Sequence, residues 1–312
     1  MNLTDKIFIA GASGLVGSAI VRKLVKEKYT NLIIPTRLDL DLTDQVKVNE
    51  FFKQVKPDYV IDAAAKVGGL QYNNNNPADF IYDNLMIQTN LIHNCYIHKV
   101  KKLLFLGSVC IYPKFCELPI KEEYLLSGKP EPTNDNYSIA KIAGIKMCQS
   151  YSKQYNCNFI SAMPINVYGI NDRFDIEQGH VIPSLILKFL DAKINKHPYV
   201  ECWGDGTPTR EFIFSDDLAD ACIFLLKNYN NSDIINIGIE NEISIKDLAE
   251  LIKKLTNYTG KIIWNTSKPN GVMRRKVCNK KLYELGWRPS VSLTKGLATT
   301  IEWYLNTKGK IL

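Results

Sequence analysis

Tyr137 and Lys141 stand four residues apart in a segment with helical periodicity, and together they could move a proton. A spacing of four places both side chains on one helical face. A cationic lysine beside a phenol lowers the pKa of the phenol toward neutrality, which suits the phenol to act as a general acid or base on a carbonyl or an alcohol. The spacing alone leaves a simpler alternative open, a partly buried tyrosine over a solvated lysine.

Ser108 favours the catalytic interpretation. It follows a predicted strand at residues 103–106, at the edge of the sheet where ligands bind in parallel α/β folds. Its hydroxyl can hydrogen-bond the substrate oxygen that Tyr137 protonates, although a simple turn serine is the alternative. Cys110 comes two residues later, and two residues along an extended chain return a side chain to the same side. Ser108 and Cys110 are therefore expected to reach one substrate.

A glycine-rich turn follows the first predicted strand and precedes the first predicted helix, with the sequence Gly11-Ala12-Ser13-Gly14-Leu15-Val16-Gly17. Its glycines permit a tight turn, close approach of a pyrophosphate and close packing of helix on strand. The helix N-terminus offers free N–H groups to phosphates. In this strand–turn–helix context the pattern predicts a dinucleotide site rather than an ordinary glycine-rich turn.

Arg37 indicates which dinucleotide binds. An acidic residue after the second strand would hold the ribose hydroxyls of NAD, whereas an arginine pairs with the extra phosphate of NADP. The chain has Thr36-Arg37 after the predicted strand at residues 31–35, so NADP(H) is the expected cofactor. A solvated loop arginine is the alternative.

These residues must be positioned by an α/β fold, because short apolar runs alternate with helical patterns. The predicted strands are 6–10, 31–35, 59–63, 103–106 and 159–163, and the predicted helices are 15–26, 45–55, 80–98 and 137–155. This alternation predicts a Rossmann-type doubly wound parallel sheet. Asn73-Asn74-Asn75-Asn76 is interpreted as a solvated loop.

The alternation loosens after residue 169. Helices are predicted at 181–190, 244–255, 280–285 and 293–305, with Ser244 as a helix cap, and a strand is expected to run into a helix at 211–226. We expect residues 1–168 to form the NADP-binding domain, to which the chain returns around 210–230. Residues 169–312 are expected to form a smaller C-terminal α/β substrate domain.

Composition excludes several classes of protein. The 312 residues are 46% hydrophobic, which excludes a mostly disordered chain, and the net charge of +7 is spread without a basic patch interleaved with aromatics, so nucleic acid is not expected as a partner. Without a long apolar run or a signal-peptide pattern, we expect no membrane association and a cytoplasmic location. The eight cysteines form no C-x-x-C pair, so no metal site is predicted.

The sequence resembles the extended short-chain dehydrogenase/reductase family, and within it the GDP-L-fucose synthases, over nearly the whole chain. The segments that carry the resemblance are 63–69 (AAAKVGG), 77–82 (PADFIY), 106–113 (LGSVCIYP), 131–134 (EPTN), 139–144 (IAKIAG), 180–183 (HVIP), 203–208 (WGDGTP) and 210–212 (REF). Together they are far more specific than the glycine turn or the Tyr–Lys spacing alone. The resemblance implies an NADPH-dependent epimerase/reductase acting on a GDP-4-keto-6-deoxy sugar, with GDP-4-keto-6-deoxy-mannose as the leading substrate.

The resemblance also implies a role for each matching residue. Cys110 and His180 are the acid and base that epimerise C3 and C5, and Tyr137 protonates the C4 oxygen during reduction, while Lys141 also holds the nicotinamide ribose. Further cofactor-binding positions are Asp41, Leu42, Leu106, Gly107, Pro164, Ile165, Asn166, Val167 and, besides its catalytic role, His180. The substrate-binding positions are Lys188, Trp203, Arg210 and Cys278. Helices 80–98 and 137–155 are expected to pair across a two-fold axis into a four-helix bundle, giving a homodimer.

Four positions depart from the pattern of the family. Lys188 replaces an arginine, Cys278 an aspartate, Ser13 an arginine and Ile165 a threonine. These changes keep a second substrate open, a GDP-4-keto-6-deoxy-heptose reduced at C4 with or without epimerisation. A nucleotide-sugar 4-epimerase with tightly held NAD is a further alternative that Arg37 disfavours. A regulatory dinucleotide sensor is disfavoured by the intact catalytic set.

Overall fold

The computed structural model describes residues 1–176, 178–268 and 270–307. The strands are β1 Ile7–Ala10, β2 Leu32–Ile33, β3 Tyr59–Asp62, β4 Lys102–Leu106, β5 Phe159–Pro164, β6 Asn166–Tyr168, β7 Tyr199–Trp203, β8 Thr209–Arg210, β9 Phe212–Phe214, β10 Ile235–Ile237, β11 Ile243–Ser244, β12 Lys261–Asn265 and β13 Arg274–Arg275. The helices are α1 Leu15–Lys26, α2 Gln45–Val55, α3 Leu70–Asn75, α4 Pro77–Ile97, α5 Asp135–Tyr155, α6 Val181–Ile194, α7 Ser215–Asn228, α8 Ile245–Leu255, α9 Lys280–Glu284 and α10 Leu293–Thr307.

Six of these strands form one parallel sheet in the order β2-β1-β3-β4-β5-β10. Its central strands β1, β4 and β5 are buried along their whole length, as apolar strands covered on both faces must be. Helix α1 packs against α7, and α4 packs against both α2 and α5. The predicted doubly wound parallel sheet is confirmed.

The C-terminal part has an apolar core of its own, which includes Tyr168, Phe189 and Leu248. Its strands form small groups: β12 pairs with β7, β6 pairs with β9, and β8 lies between β11 and β13. Helix α8 begins as predicted, because the Ser244 hydroxyl accepts a hydrogen bond of 3.0 Å from the Asp247 amide. In the ranges 1–176, 178–268 and 270–307, no helix combines the length and apolar character needed to cross a bilayer.

The asparagine run is not a loop, so that prediction is wrong. Asn73, Asn74 and Asn75 end helix α3, and Asn76 precedes α4. Tertiary contacts override the weak helical propensity of asparagine here. The Asn73 side chain donates to the main-chain oxygen of Gly68 at 2.8 Å, and the ring of Tyr72 packs edge-on against Phe80.

Asn236, in the edge strand β10, ties together segments that are far apart in sequence. Its side chain accepts a hydrogen bond from the Tyr112 hydroxyl at 2.6 Å and donates to the main-chain oxygens of Ile120 at 3.1 Å and Cys278 at 3.4 Å. Its main-chain N–H donates to the Glu122 carboxylate at 3.1 Å. The connection that follows β4 is therefore anchored to the edge strand β10.

Candidate active site

A cavity of about 830 Å³ opens at the carboxyl ends of the central strands, where parallel sheets bind ligands. All five predicted catalytic residues line it: Ser108, Cys110, Tyr137, Lys141 and His180. The predicted cofactor-binding residues that line it are Gly11, Ser13, Gly14, Leu15, Val16, Arg37, Asp41, Leu42, Leu106, Gly107, Pro164, Ile165, Asn166 and Val167, together with Ser108, Lys141 and His180. The fold thus brings predicted site residues as far apart in the chain as Gly11 and His180 to one surface.

The glycine turn has the geometry of a phosphate cradle. Gly11 has φ +76°, and a Cβ there would lie 2.8 Å from the main-chain oxygen of Ala63. Gly17 does not line the cavity among the described residues, but a Cβ on it would come 2.1 Å from the Gly11 oxygen, so it permits α1 to pack onto the turn. Because the N-cap residue Gly14 brings no capping side chain, the first-turn amides of α1 are left to a ligand. These features fit a dinucleotide pyrophosphate.

Arg37 lies exposed at the rim of the same cavity. The nearby acids have other hydrogen-bond partners. Asp39 accepts hydrogen bonds from the Thr36 amide and hydroxyl at 2.9 and 2.7 Å, and Asp41 accepts two from Thr43 at 3.0 and 2.7 Å, which lower the pKa of Asp41. The charge of Arg37 also lowers the pKa of Asp41. The guanidinium is therefore available to an anion at this end.

Ser108 organises the turn that follows β4. Residues Val109–Ile111 form a 3-10 turn, and the Ser108 hydroxyl caps it by accepting a hydrogen bond of 3.2 Å from the Cys110 amide. The backbone beyond Ser108 is therefore not extended, and the expectation of an extended chain was wrong. Ser108 and Cys110 nevertheless line the same cavity, because the turn carries the thiol around to it. Ser138, at the start of α5, donates to the Cys110 carbonyl at 2.9 Å.

Tyr137 does not have the lowered pKa expected from its sequence neighbour. Burial raises the pKa of Tyr137, and nearby Cys110 adds to the rise, while a hydrogen bond with Ser108 opposes it. Lys141 instead donates at 2.9 Å to the main-chain oxygen of Leu106 and lies 4.7 Å from the centre of the Phe105 ring. Burial lowers the pKa of Lys141, and the buried carboxyl of Asp62 opposes that change. The phenol is therefore protonated near neutral pH.

His180 reaches the cavity from another element, since it is the N-cap residue of α6. The protein around the imidazole lowers its pKa, and Arg173 adds to that effect. The segment before His180 packs on the turn that starts α3, where the Gly69 amide donates to the Gln178 oxygen at 2.8 Å. A Cβ on Gly69 would lie 2.6 Å from the Gly179 oxygen, so only glycine permits this approach.

A smaller cavity of about 190 Å³ adjoins the first, and both are lined by Asn166, Val181 and Phe212. Trp203 and Arg210 line the smaller one. Lys188 approaches Trp203, with its ammonium 5.5 Å from the ring centre and donating to the Glu201 carbonyl at 3.0 Å.

Two of the predicted substrate residues, Lys188 and Cys278, line neither cavity among the residues that the structure describes. The Cys278 amide donates to the Ile120 oxygen at 2.8 Å.

The model of the NAD dependent epimerase/dehydratase family matches residues 7–238. A putative GDP-L-fucose synthase 2 of Arabidopsis thaliana is 55% identical over 300 residues, which are 96% of this chain and 92% of that protein. The chain belongs to the GDP-L-fucose synthase family. The GDP-L-fucose synthase of Escherichia coli K12 is 44% identical, with 98% of each chain covered.

Proteins that are named for a seven-carbon sugar are also similar to this chain. The crystal structure of a GDP-D-glycero-L-gluco-heptose synthase from Campylobacter jejuni, obtained in the presence of NADPH, has 38% identity and a TM-score of 0.91. The match covers 97% of this chain and 99% of that chain. Family membership therefore fixes the fold and leaves the length of the sugar to experiment.

The structure of this family member adds residues that the sequence analysis did not single out. Asp172 lines the main cavity although it is only 4% exposed, and its Oδ2 has no hydrogen-bond partner among the described residues. Burial raises the pKa of Asp172 to about 7. Lys66 also lines the cavity and pairs with Asp79 at 3.0 Å and Asp83 at 2.9 Å. Lys66 lies in the 63–69 motif, which was the available signal, whereas nothing around Asp172 indicated a site.

Proposed function

We propose that this protein is an NADPH-dependent epimerase/reductase that converts GDP-4-keto-6-deoxy-mannose into GDP-L-fucose. The observation that carries the proposal is one cavity lined by a Ser108–Tyr137–Lys141 set, by Cys110 and His180, and by a glycine turn suited to a dinucleotide. The names of the plant and bacterial relatives support the substrate.

NADPH, when bound, supplies the hydride that adds to C4 of the sugar. The turn from Gly11 to Gly17 would bind the pyrophosphate of NADPH, and Arg37 would bind its 2′-phosphate. Leu106, Gly107 and residues 164–167 would border the nicotinamide. Among the described residues at this rim, Arg37 is the cation that would select NADP, because Ser13 offers no charge.

For reduction, Tyr137 donates its proton to the C4 oxygen. Its raised pKa keeps that proton on the phenol near neutral pH, which is the state an acid requires. The Ser108 hydroxyl, already hydrogen-bonded to the phenol, orients the same substrate oxygen. Lys141, anchored on Leu106, would hold a ribose hydroxyl of bound NADPH and would stabilise the negative charge left on Tyr137.

For epimerisation, the C4 ketone acidifies the protons on C3 and C5, and each proton can leave through an enolate and return on the other face. This chemistry needs two proton-transfer groups on opposite sides of the ring. Cys110 comes from the turn after β4 and His180 from the start of α6, so they reach the cavity from different elements. We assign them to these two roles, with Cys110 as the base.

The nucleotide end of the substrate is assigned to the smaller cavity. Trp203 offers an aromatic face and Arg210 a cationic fork for the guanosine diphosphate, with Lys188 beside the indole. Cys278 stays a sequence-based assignment, and its absence from the described lining of both cavities argues for an indirect part. The two apolar cores support two domains, with residues after 169 binding the nucleotide sugar, while the chain returns to the first core within 213–237 and again within 277–287.

We also propose a homodimer built on helices α4 and α5. These helices pack together and expose large apolar side chains, including Tyr82, Ile97, Ile139 and Tyr155. Such side chains on one helix pair fit a second copy of the same pair, which gives a four-helix bundle. Light scattering should report twice the monomer mass for the wild-type protein. The double variant Tyr82→Arg, Ile139→Arg should have the mass of a monomer. The cytoplasmic location stays a prediction.

The similarity to the Campylobacter heptose synthase favours a second candidate, C4 reduction of a GDP-4-keto-6-deoxy-heptose with or without epimerisation. One experiment separates the candidates: each keto sugar is incubated with NADPH, and the product is identified by NMR. A higher kcat/KM for the mannose-derived hexose and formation of GDP-L-fucose support the main proposal. A higher value for the heptose overturns it.

A further inference from the structure

One guanidinium holds both ends of the segment that carries Cys110. Nη1 of Arg275 donates to the main-chain oxygen of Val109 at 2.8 Å, and Nη2 donates to that of Pro113 at 3.2 Å. Val109 directly precedes Cys110 in the chain, and Pro113 follows it three residues later. The contacts cross more than 160 positions of chain, so local sequence does not supply them.

The neighbouring arginine in the same strand has a different task. Arg274 forms a two-point ion pair with Glu242, with Nε to Oε1 at 2.9 Å and Nη2 to Oε2 at 2.6 Å. Arg275 is paired in parallel register with Arg210 of β8. Strand β13 therefore offers two arginines of equal charge, of which one clamps the Cys110 turn and the other is fixed on a carboxylate.

From this geometry we infer that Arg275 is a positioning residue for Cys110, an inference that rests on the proposed proton-transfer role of the thiol. A planar guanidinium presents its N–H groups in a fixed fork, so it can hold two carbonyls at a set separation. A lysine keeps the charge but is a point donor on a flexible stem. Without the fork, the segment keeps the Ser108 cap, the Ser138 contact and the bond from the Tyr112 hydroxyl to Asn236, none of which holds the Val109 and Pro113 oxygens at a set separation.

The expected consequence is selective. Proton transfer at carbon needs the thiol within reach of C3 or C5, and a displacement of about 1 Å can cost roughly 100-fold in rate. Reduction at C4 uses Tyr137 and Lys141, which lie on α5, and Ser108, which comes before the clamped turn. Among the described residues, Arg275 donates its hydrogen bonds to Val109 and Pro113 and to none of these three. Loss of the clamp should therefore change the ratio of epimerisation to reduction.

The test compares Arg275→Lys with the matched control Arg274→Lys in D₂O, with the keto sugar and NADPH. Deuterium at C3 and C5 and the stereochemistry of the reduced product are read by NMR. For Arg275→Lys we expect exchange to fall about 10- to 100-fold while C4 reduction falls less than 3-fold, giving reduced but unepimerised sugar. The control should keep the wild-type ratio. Because both numbers come from the same molecules, partial unfolding cancels in the ratio.

Each other outcome decides the question. If Arg275→Lys keeps the wild-type ratio, or loses both activities in proportion, Arg275 does not position the thiol. If the wild-type protein itself reduces the sugar without exchange at C3 and C5, the epimerase half of the proposed function fails instead. A change confined to the KM of the sugar would assign Arg275 to substrate binding beside Arg210 and overturn the positioning role.

Discussion

The ammonium of Lys141 donates a 2.9 Å hydrogen bond to the main-chain oxygen of Leu106, the last residue of β4. The lysine is thereby anchored at the strand end, while the phenol of Tyr137, one helical turn earlier, is hydrogen-bonded with Ser108. The acid and the cation of the site thus have separate anchors. It follows that removing the phenol should spare the rest of the site, which makes the roles of its residues separable by mutation.

Tyr137→Phe should abolish most C4 reduction, because it removes the proton that neutralises the C4 oxygen. The expected loss is about 10²- to 10⁴-fold in the rate of NADPH oxidation. Deuterium exchange at C3 and C5 should persist, since Cys110 and His180 remain in place. Tyr124→Phe, which removes a hydroxyl bonded to Glu117 away from the site, is the control. Normal NADPH oxidation by Tyr137→Phe would exclude Tyr137 as the acid.

Cys110→Ser should leave reduction possible and slow epimerisation, because a serine hydroxyl is a far weaker base than a thiolate near neutral pH. The product should be reduced, unepimerised sugar with little deuterium at C3 and C5. Cys116→Ser is a matched control, since that thiol lies on the same connection, contacts the Pro113 oxygen at 3.7 Å and, among the described residues, lines neither cavity. A fully epimerised product formed at the normal rate would show that Cys110 is an ordinary core cysteine.

Arg37→Ala should raise the KM for NADPH far more than the KM for NADH. A charge-assisted hydrogen bond contributes roughly 1.5–3 kcal/mol, so the expected increase is about 10- to 100-fold for NADPH alone. Lys26→Ala, an exposed lysine in the last turn of α1, removes the same surface charge and serves as the control. Equal effects on the two cofactors would refute a 2′-phosphate contact.

Asp62→Asn should stabilise the protein at alkaline pH. Burial raises the pKa of Asp62 to about 6, above its ordinary value, and its Oδ2 has no partner among the described residues. A carboxyl with a raised pKa costs the folded state its full penalty above pH 6, and that penalty disappears as the pH falls toward 4. The gain should be on the order of 1–3 kcal/mol at pH 8.

Chemical denaturation of Asp62→Asn at pH 8 and pH 5 measures this gain, which should shrink at the lower pH. Asp39→Asn provides the contrast, because hydrogen bonds from Thr36 lower the pKa of that exposed carboxyl. It should not stabilise the protein at pH 8. A pH-independent gain for Asp62→Asn would mean that packing, not ionisation, causes it.

The sequence predicted the sheet and the residues of the main cavity, because apolar strands and their following turns are local patterns. It missed the two-residue strands β8, β11 and β13, which are too short to show a period and exist only through pairing with each other. It also gave the wrong direction for the pKa of Tyr137. The direction depends on which group the Lys141 ammonium contacts. In the structure it contacts the Leu106 oxygen, and the tertiary fold, not the local sequence, places that oxygen there.

The hydrogen bonds of Asn236 indicate the order in which contacts form while the protein is synthesised and folds. Tyr112 and Ile120 emerge early in synthesis, yet their partner lies in β10, and the same asparagine then contacts the Cys278 oxygen. Contacts between such distant positions close late, because the intervening chain must first be ordered. The Ser108 and Ser138 contacts of the Cys110 turn can form early, whereas the contacts from Asn236 and Arg275 must wait until those residues are synthesised. We expect an incomplete chain to lack activity, because the active centre is completed late in folding.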